Sequence, residues 1–198
     1  MNKVEQAISL AVQAHSGQKD KQGKDYFWHV LRVAEKGKTE DEQIVGALHD
    51  VLEDCTQFWK IKVKEVVTHS QYEALMLLSR INFDGSKKNT DEYYAAIKTN
   101  SLALAVKAND IADNTSPQRI DPLPEKDQEY FRNKYYKAKV ALGLIEPAMG
   151  VCKKTPLGYQ CKLQTGHDGP CMVTYRPDHD EDRPISYMKM QYKTDSKE

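Results

Sequence analysis

The chain lacks a long run of apolar residues, and its mean hydropathy is −0.72. A membrane-spanning helix needs about 20 consecutive, mostly apolar residues, so the sequence excludes one. The first residues, Met1 to Glu5, pass directly into an amphipathic pattern without the apolar stretch of a signal peptide. We therefore expect a cytoplasmic protein.

An excess of charge of one sign is also missing, because 29 Lys and Arg residues balance 29 Asp and Glu residues. Proteins that bind nucleic acids or anionic membranes usually carry a basic surface. We therefore expect neither partner, and an anionic small molecule would have to be bound by local groups. The sequence carries no signature of a particular oligomeric state.

Apolar residues recur at helical spacing through the first three quarters of the chain, as in the stripe from Val4 to Ala14. Residues typical of helix N-termini predict four helix starts: Thr39 with Glu42, Ser70 with Glu73, Thr90, and Ser101. A last long helix is predicted over about 125–144, before Pro147. The pattern predicts an all-α fold.

The composition changes after Pro147, where Pro, Gly, Cys and charged residues replace the helical pattern. We therefore predict two parts, a helical domain over residues 1–146 and a Cys/His-rich tail over residues 147–198. A chain of 198 residues is long enough for one domain with a sizeable core and such an appendage. Within the tail, the segment from Ile185 to Tyr192 is compatible with one short strand.

Ionisable residues stand at the end of an apolar helical pattern, in the segment His49-Asp50-Val51-Leu52-Glu53-Asp54. One continuous helix would place His49 beside Glu53, and Asp50 beside Asp54. Charged groups at the margin of an apolar surface need water or a strong partner. A metal ion is the simplest partner for the His-Asp pair, although a solvated helix end with structural ion pairs produces the same pattern.

Two further polar residues interrupt apolar helical patterns. His29 follows three aromatic residues, and Asp110 ends the apolar run that begins at Ser101. Each alone is more typical of a hydrogen-bonded core residue or a cap. Together with His49 and Asp50 they make a two-His, two-Asp set, whose nitrogen and oxygen atoms suit Mn²⁺, Mg²⁺ or Fe²⁺ better than a thiolate-seeking metal.

Several separated motifs now appear in order and at characteristic intervals: Ala14-His15-Ser16-Gly17-Gln18, Gly23, Tyr26 and His29, then His49 to Asp54, then Lys107, Asp110 and Asn114. On these residues the chain resembles the hydrolase domain of the RelA/SpoT homologues, within the HD phosphohydrolase superfamily. It is most similar to the free-standing small alarmone hydrolases, which carry no synthetase domain. The resemblance covers about residues 3–144 and implies an HD-domain helical bundle.

The resemblance also implies an activity, since that family removes the 3′-pyrophosphate of guanosine tetra- or pentaphosphate, (p)ppGpp, with Mn²⁺. Carried over by position, the metal ligands would be His29, His49, Asp50 and Asp110. Glu53 and Asp54 would orient and activate the attacking water. Lys21 and Asn114 would lie near the nucleotide, so the expected partner is a small-molecule nucleotide.

The chain departs from the family pattern on the nucleotide side. Asp20-Lys21 stands where the family has Arg-Lys, and an acid there should repel phosphates. Asp25 and Val30 replace two family prolines, and the late motif carries Ile111 where the family has arginine. The metal and water residues are retained, so the reaction class is better supported than the substrate.

Three cysteines and a histidine in the tail follow the spacing C-x8-C-x5-H-x3-C: Cys152, Cys161, His167 and Cys171. This is a common ligand set for structural Zn²⁺, which would contribute folding energy to a segment too small for its own core. The alternative is a tail with free thiols. If zinc binds, a closed site implies a structural or docking role.

Three functions therefore stay open. The first is (p)ppGpp pyrophosphohydrolase activity. The second is hydrolysis of another phosphorylated nucleotide such as NADPH, which the acid at position 20 favours. The third is a non-catalytic regulatory module that docks a partner through its zinc tail, against which the retained metal and water residues argue.

Overall fold

The computed structural model describes residues 1–82 and 84–146, together with the backbone of two short strands near the C-terminus. The described part contains ten helices and two strands: α1 Lys3–Ala14, α2 Phe27–Glu35, α3 Glu40–Leu48, α4 Val51–Asp54, α5 Gln57–Val66, α6 His69–Leu78, α7 Thr90–Lys98, α8 Ser101–Asn114, α9 Pro117–Ile120, α10 Glu125–Ala141, β1 Tyr159–Cys161 and β2 Val173–Tyr175. The ten helices lie between Lys3 and Ala141, and the predicted helical fold class is confirmed.

The chain divides into two units, Met1–Ile145 and Glu146–Glu198. In the second unit, β1 and β2 pair antiparallel, with Tyr159 opposite Tyr175 and Cys161 opposite Val173. The sequence analysis did not predict these strands, because three residues are too few to show an alternating pattern. The strand suggested for residues 185–192 lies outside the described residues. In the described part, no helix combines the length and apolarity that a membrane span requires.

Helix α3 is the centre of the first unit and packs against α1, α2, α6 and α8. Its last five residues, Ile44 to Leu48, are all buried. A buried aliphatic side chain such as Leu48 contributes about 1.5–3 kcal/mol through loss of apolar surface from water. The segment that begins at His49 therefore follows directly from a fully buried helix end.

Gly46 allows α2 and α3 to approach closely beside the site. A Cβ atom at this position would lie 3.1 Å from Ala34 Cα and 3.2 Å from Val33 O. Both neighbours are backbone atoms of α2, which cannot move aside as a flexible side chain would. The close approach brings His29 on α2 towards the end of α3.

Helix α3 ends at Leu48, so the continuous helix expected through Asp54 is wrong. A second short helix, α4, begins at Val51 after a break at His49 and Asp50. At this break, His49 Nδ1 lies 2.8 Å from Gly46 O and donates to it. That carbonyl is the acceptor that the Asp50 N–H would use in a continuing α-helix, so the histidine side chain takes the place of the backbone bond.

The predicted helix starts need small corrections. Thr39 caps α3 by accepting from Glu42 N, as predicted. Helix α6 is not capped by Ser70. Instead Thr68 and Gln71 form the capping box and the helix begins at His69. Here two overlapping sequence patterns compete, and the earlier one starts the helix.

Asparagines cap the two helices whose predicted starts were Thr90 and Ser101. Asn89 Oδ1 accepts from the backbone N–H groups of the first turn of α7, and Asn100 Oδ1 accepts from Ala103 N in α8. Thr90 is the first helical residue and not the cap, so that prediction was one residue late, because Asn and Thr both suit a cap position. Helix α8 begins at Ser101, as predicted.

The last long helix, α10, ends at Ala141 instead of continuing to Leu144. Gly143 takes a φ of 72°, a left-handed conformation that glycine adopts at little cost. This turn lets Leu144 N donate to Lys139 O at 2.9 Å, which satisfies a carbonyl of the last turn. The helix therefore stops three residues earlier than its sequence pattern suggested.

Candidate active site

Two histidines and an aspartate from three helical segments meet in the interior of the first unit. His29 lies on α2, His49 at the end of α3, and Asp110 on α8. All three are buried, and one potential ligand atom from each lies within 4.8 Å of the others. The structure thus brings together residues that are separated by up to 81 positions in the sequence.

The carboxylates of Asp50 and Asp110 lie near Nε2 of both imidazole rings. Asp110 Oδ1 is 3.2 Å from His29 Nε2 and 3.8 Å from His49 Nε2. Asp50 Oδ2 is 2.9 Å from His49 Nε2 and 3.8 Å from His29 Nε2. Asp50 is the more accessible of the two acids, and it also accepts a hydrogen bond from Tyr26 Oη at 2.6 Å. All four residues of the predicted metal set therefore lie in one cluster.

The second nitrogen of each ring is fixed by an acceptor. His49 Nδ1 donates to Gly46 O, and His29 Nδ1 donates to Asp113 Oδ2 at 2.7 Å. In a neutral imidazole the Nε2 atom then carries a lone pair. Both lone pairs would point towards carboxylate oxygens, an arrangement that repels unless a cation lies between them.

His49 Nε2 shows this need directly, because it is buried and, although Asp50 Oδ2 lies 2.9 Å away, it makes no well-aligned hydrogen bond within the described residues. Burial lowers the pKa of His49, but the carboxylates of Asp50 and Asp110 outweigh burial and raise it to about 9. In turn, although burial opposes ionisation, His49 holds the pKa of Asp50 well below its usual range. The cluster therefore favours positive charge at its centre, and its nitrogen and oxygen donors fit a divalent cation.

Two neighbours on α8 hold Asp110. Lys107 Nζ lies 2.7 Å from Asp110 Oδ2, and Asn114 Nδ2 donates to Asp110 Oδ1. Burial penalises both charges of the Lys107–Asp110 pair. Their mutual attraction nevertheless raises the pKa of Lys107 and lowers the pKa of Asp110. Asn114, predicted to contact the nucleotide, thus also fixes the orientation of a predicted ligand.

Asp113 is a neighbour of the cluster that the sequence analysis did not single out. Its buried carboxylate accepts from His29 Nδ1 and from Arg32, whose Nε lies 2.6 Å from Oδ1. Burial opposes ionisation, but these two contacts keep the pKa of Asp113 well below its usual range. A carboxylate behind a ligating histidine sets its tautomer and orientation. One signal was present, since Asp113 follows Asp110 by three residues, nearly one helical turn.

The two predicted water-handling acids lie beside the cluster on α4. Glu53 Oε2 accepts from Arg80 N at 2.8 Å, which fixes one of its oxygens. Asp54 lies at the surface. Partial shielding from water, together with the charges of Asp50 and Glu53, raises the pKa of Asp54 to about 6. A carboxylate with this pKa can accept a proton near neutral pH.

Lys21 and Asn114, the two predicted nucleotide contacts, line the same pocket, which opens to solvent. Lys21 Nζ lies 5.0 Å from the centre of the Phe131 ring at this pocket. The neighbouring Asp20, expected to repel phosphates, also lines this pocket, but one of its oxygens is held within its own loop. Its Oδ1 accepts from Gln22 N at 2.8 Å and from Lys24 N at 3.0 Å.

The predicted zinc ligands fall almost wholly outside the described residues. Cys161 is the last residue of β1, for which only the backbone is described. Cys152, His167 and Cys171 lie in the part of the chain that the structure does not describe. The zinc site therefore stays a prediction.

Comparisons with known proteins give one kind of match. No protein-family model matches the chain, and no curated protein matches it. Among solved structures, the chain is similar to a metazoan ortholog of SpoT that hydrolyses ppGpp and plays a role in starvation responses. The TM-score is 0.55 and the identity 18%, over 72% of this chain and 86% of that chain. The resemblance inferred from the sequence motifs is therefore confirmed at the level of the fold: this chain folds as the metazoan SpoT ortholog does.

Proposed function

We propose that the protein is a metal-dependent hydrolase that removes the 3′-pyrophosphate of (p)ppGpp-type guanosine nucleotides. One observation carries the proposal: a buried His49 Nε2, which makes no well-aligned hydrogen bond, faces two carboxylates and a second histidine. A cluster of this charge is expensive to bury without a cation. The shared fold with a ppGpp-hydrolysing protein supports the substrate class.

His29, His49, Asp50 and Asp110 would hold the divalent cation, with Mn²⁺ as the leading candidate for this donor set. When bound, such an ion acts as a Lewis acid on a phosphoryl oxygen and lowers the pKa of water. The chain prepares its two imidazoles for this role, because Asp113 and the Gly46 carbonyl keep the proton on Nδ1 of each ring.

Asp54 is the proposed general base. It is accessible, and its raised pKa of about 6 lets it take a proton from the attacking water and still be ionised at pH 7. Glu53, held through one oxygen by Arg80 N, would orient that water with the other. Lys21 and Asn114 would contact the nucleotide from the pocket that they share.

A second candidate is hydrolysis of another phosphorylated nucleotide such as NADPH. Asp20 favours it, because an acid stands where the similar family has an arginine. A non-catalytic docking module is the weaker alternative. It would leave unexplained why an acid with a raised pKa lies beside a buried charge cluster.

Product analysis separates these functions. The full chain, supplied with Mn²⁺, is incubated separately with ppGpp, GTP and NADPH, with the His49→Ala variant as a matched control. Water attack on ppGpp should yield GDP and pyrophosphate, and the variant should yield neither. Phosphate release from NADPH alone would support the second candidate. No turnover of any of the three by metal-loaded protein would contradict both enzymatic proposals.

For the tail we propose a structural Zn²⁺ bound by Cys152, Cys161, His167 and Cys171. The support is the ligand spacing alone. Metal analysis of the purified chain should find zinc, and the Cys161→Ser variant should lose it. Cys55→Ser is the matched control, because Cys55 is a buried thiol in the helical unit. Equal zinc content in all three proteins would rule this site out.

A further inference from the structure

Arg119, on α9, carries a buried guanidinium nitrogen without a hydrogen-bond partner in the described part of the chain. Its two nearest acids are too far away to supply one. Nη1 lies 3.7 Å from Asp20 Oδ2, and Nε lies 3.8 Å from Asp113 Oδ2. A buried N–H without an acceptor is destabilising, so a native protein usually keeps one for a reason.

Neither acid depends on Arg119 as a hydrogen-bond donor, although Asp20 forms an ion pair with it. Asp113 already accepts from His29 and from two nitrogens of Arg32, and Lys36 Nζ lies 3.6 Å away. Asp20 uses Oδ1 to close its own loop through two backbone N–H groups. The Arg119 guanidinium therefore lies near two carboxylates, while its Nη1 donates no hydrogen bond within the described residues.

Arg119 lines the pocket that also contains Lys21 and Asn114. The opposite wall is apolar and is formed by Ile120, Leu123 and Phe131. The inner end of the pocket adjoins the metal cluster, because Asn114 donates to Asp110 Oδ1. The lining thus has two cations, two amides, one acid (Asp20) and an apolar wall beside the His/Asp cluster, and its excess of cations over acids suits a ligand that carries phosphate groups on an apolar body.

The pocket wall is fixed by contacts between the loop and α9. Gln22 Nε2 donates to Gln118 O at 3.1 Å and to Arg119 O at 3.0 Å. These bonds tie the backbone of Arg119 to the loop that presents Lys21. The two cations are thus held in a set relation before a ligand arrives, which lowers the entropy cost of binding.

We propose that Arg119 binds a phosphate group of the substrate and is a specificity-determining residue of this site. The planar guanidinium can donate two parallel hydrogen bonds to phosphate oxygens, which Lys21 cannot. The inference rests on the proposed function in taking a phosphorylated nucleotide as the substrate. Arg119 also offsets the charge of Asp20, with which it forms an ion pair.

The test is titration calorimetry of inorganic pyrophosphate into the EDTA-treated full chain, so that metal chelation by pyrophosphate plays no part. The wild type should bind. Arg119→Gln should bind at least about tenfold more weakly, as expected for loss of charge-assisted hydrogen bonds. Arg132→Gln is the matched control, because Arg132 is an exposed arginine of α10 paired with Asp121. Its affinity should equal that of the wild type.

Two further variants keep the test decisive. Asp20→Asn removes the acid nearest Nη1 but keeps an Oδ1 acceptor for the loop, so its affinity should equal or exceed that of the wild type. Arg119→Lys keeps the positive charge but cannot donate two parallel hydrogen bonds, so it should bind pyrophosphate several-fold more weakly than the wild type. This variant still tests the proposal if Arg119→Gln does not fold. Undiminished binding by the folded Arg119 variants, or no binding by the wild type, would overturn the proposal. Failure of ppGpp hydrolysis with these affinity changes intact would instead count against the proposed reaction alone.

Discussion

In the buried His/Asp cluster both imidazoles are held through Nδ1, whereas Glu53, Asp54 and the proposed nucleotide contacts beside it are partly or fully exposed. His29 and His49 are 1% and 2% exposed and each has one fixed acceptor. Asp54, in contrast, lies at the surface on a four-residue helix. The two histidines are thus part of the core, while Glu53 and Asp54 lie outside it. We therefore expect substitutions in the cluster to affect metal binding, and substitutions of Glu53 or Asp54 to affect turnover.

The largest expected effect is on turnover without loss of metal. Asp54→Asn and Glu53→Gln should each lower kcat by about 10²–10⁴-fold, the usual contribution of a positioned acid or base. Melting temperature and Mn²⁺ content should stay at wild-type values, because neither side chain belongs to the buried cluster. Steady-state kinetics with metal analysis checks this. Loss of bound Mn²⁺ in Asp54→Asn would show that Asp54 takes part in metal binding and would contradict the separation of the two regions.

A smaller effect is expected on metal affinity from outside the ligand set. Asp113→Asn should weaken Mn²⁺ binding by about 10–100-fold, because His29 loses the carboxylate that fixes its tautomer. Asp121→Asn is the matched control, since Asp121 is an exposed acid paired with Arg132. Competition against a metal indicator measures both. Equal affinities in the two variants would show that the contact of Asp113 with His29 plays no part in metal binding.

The pH dependence should follow Asp54. Its pKa is raised to about 6, so the base form predominates above that pH and is lost as the pH falls. We expect kcat/KM to decline below about pH 6, by about tenfold for each further pH unit. The residual activity of Asp54→Asn should lack this decline. Asp41→Asn is the control and should keep it, because Asp41 lies in the first turn of α3 and accepts a hydrogen bond from Gln71. A wild-type profile that is flat down to pH 5 would remove Asp54 from the role of base.

The smallest expected effect concerns Asp50, the more accessible of the two proposed carboxylate ligands. Tyr26 Oη donates to Asp50 Oδ2 at 2.6 Å, so Tyr26→Phe removes one bond that orients Asp50. A net loss of about 1 kcal/mol corresponds to roughly fivefold weaker Mn²⁺ binding. Tyr130→Phe on α10 is the control. An effect as large as that of Asp113→Asn would mean that the exposed side of the cluster is held as firmly as the buried side.

The sequence was sufficient where the signal is local. His29 and Asp110 interrupt apolar helical patterns, and such interruptions can be recognised without knowing what packs against them. The helices themselves follow from periodicity, because most of their stability comes from one buried face. Their ends were less well predicted, since competing cap residues such as Thr68 and Ser70 lie within two positions of each other.

Contacts between distant segments could not be predicted in the same way. Asp113 reaches His29 across 84 residues, and Arg119 approaches Asp20 across 99. Neither residue interrupts a local pattern, because an acid or an arginine near a helix end is ordinary. The break at His49 could not be predicted for a related reason. It depends on the hydrogen bond from the His49 imidazole to Gly46 O, which forms only once α3 has packed.

The most direct test of the central claim is anomalous diffraction from Mn²⁺-soaked crystals of the full chain. The account predicts a peak within coordination distance of His29 Nε2, His49 Nε2 and Asp110, and no such peak in crystals of His49→Ala. Bound manganese elsewhere, with the two imidazoles and the carboxylates in place but no ion between them, would contradict it.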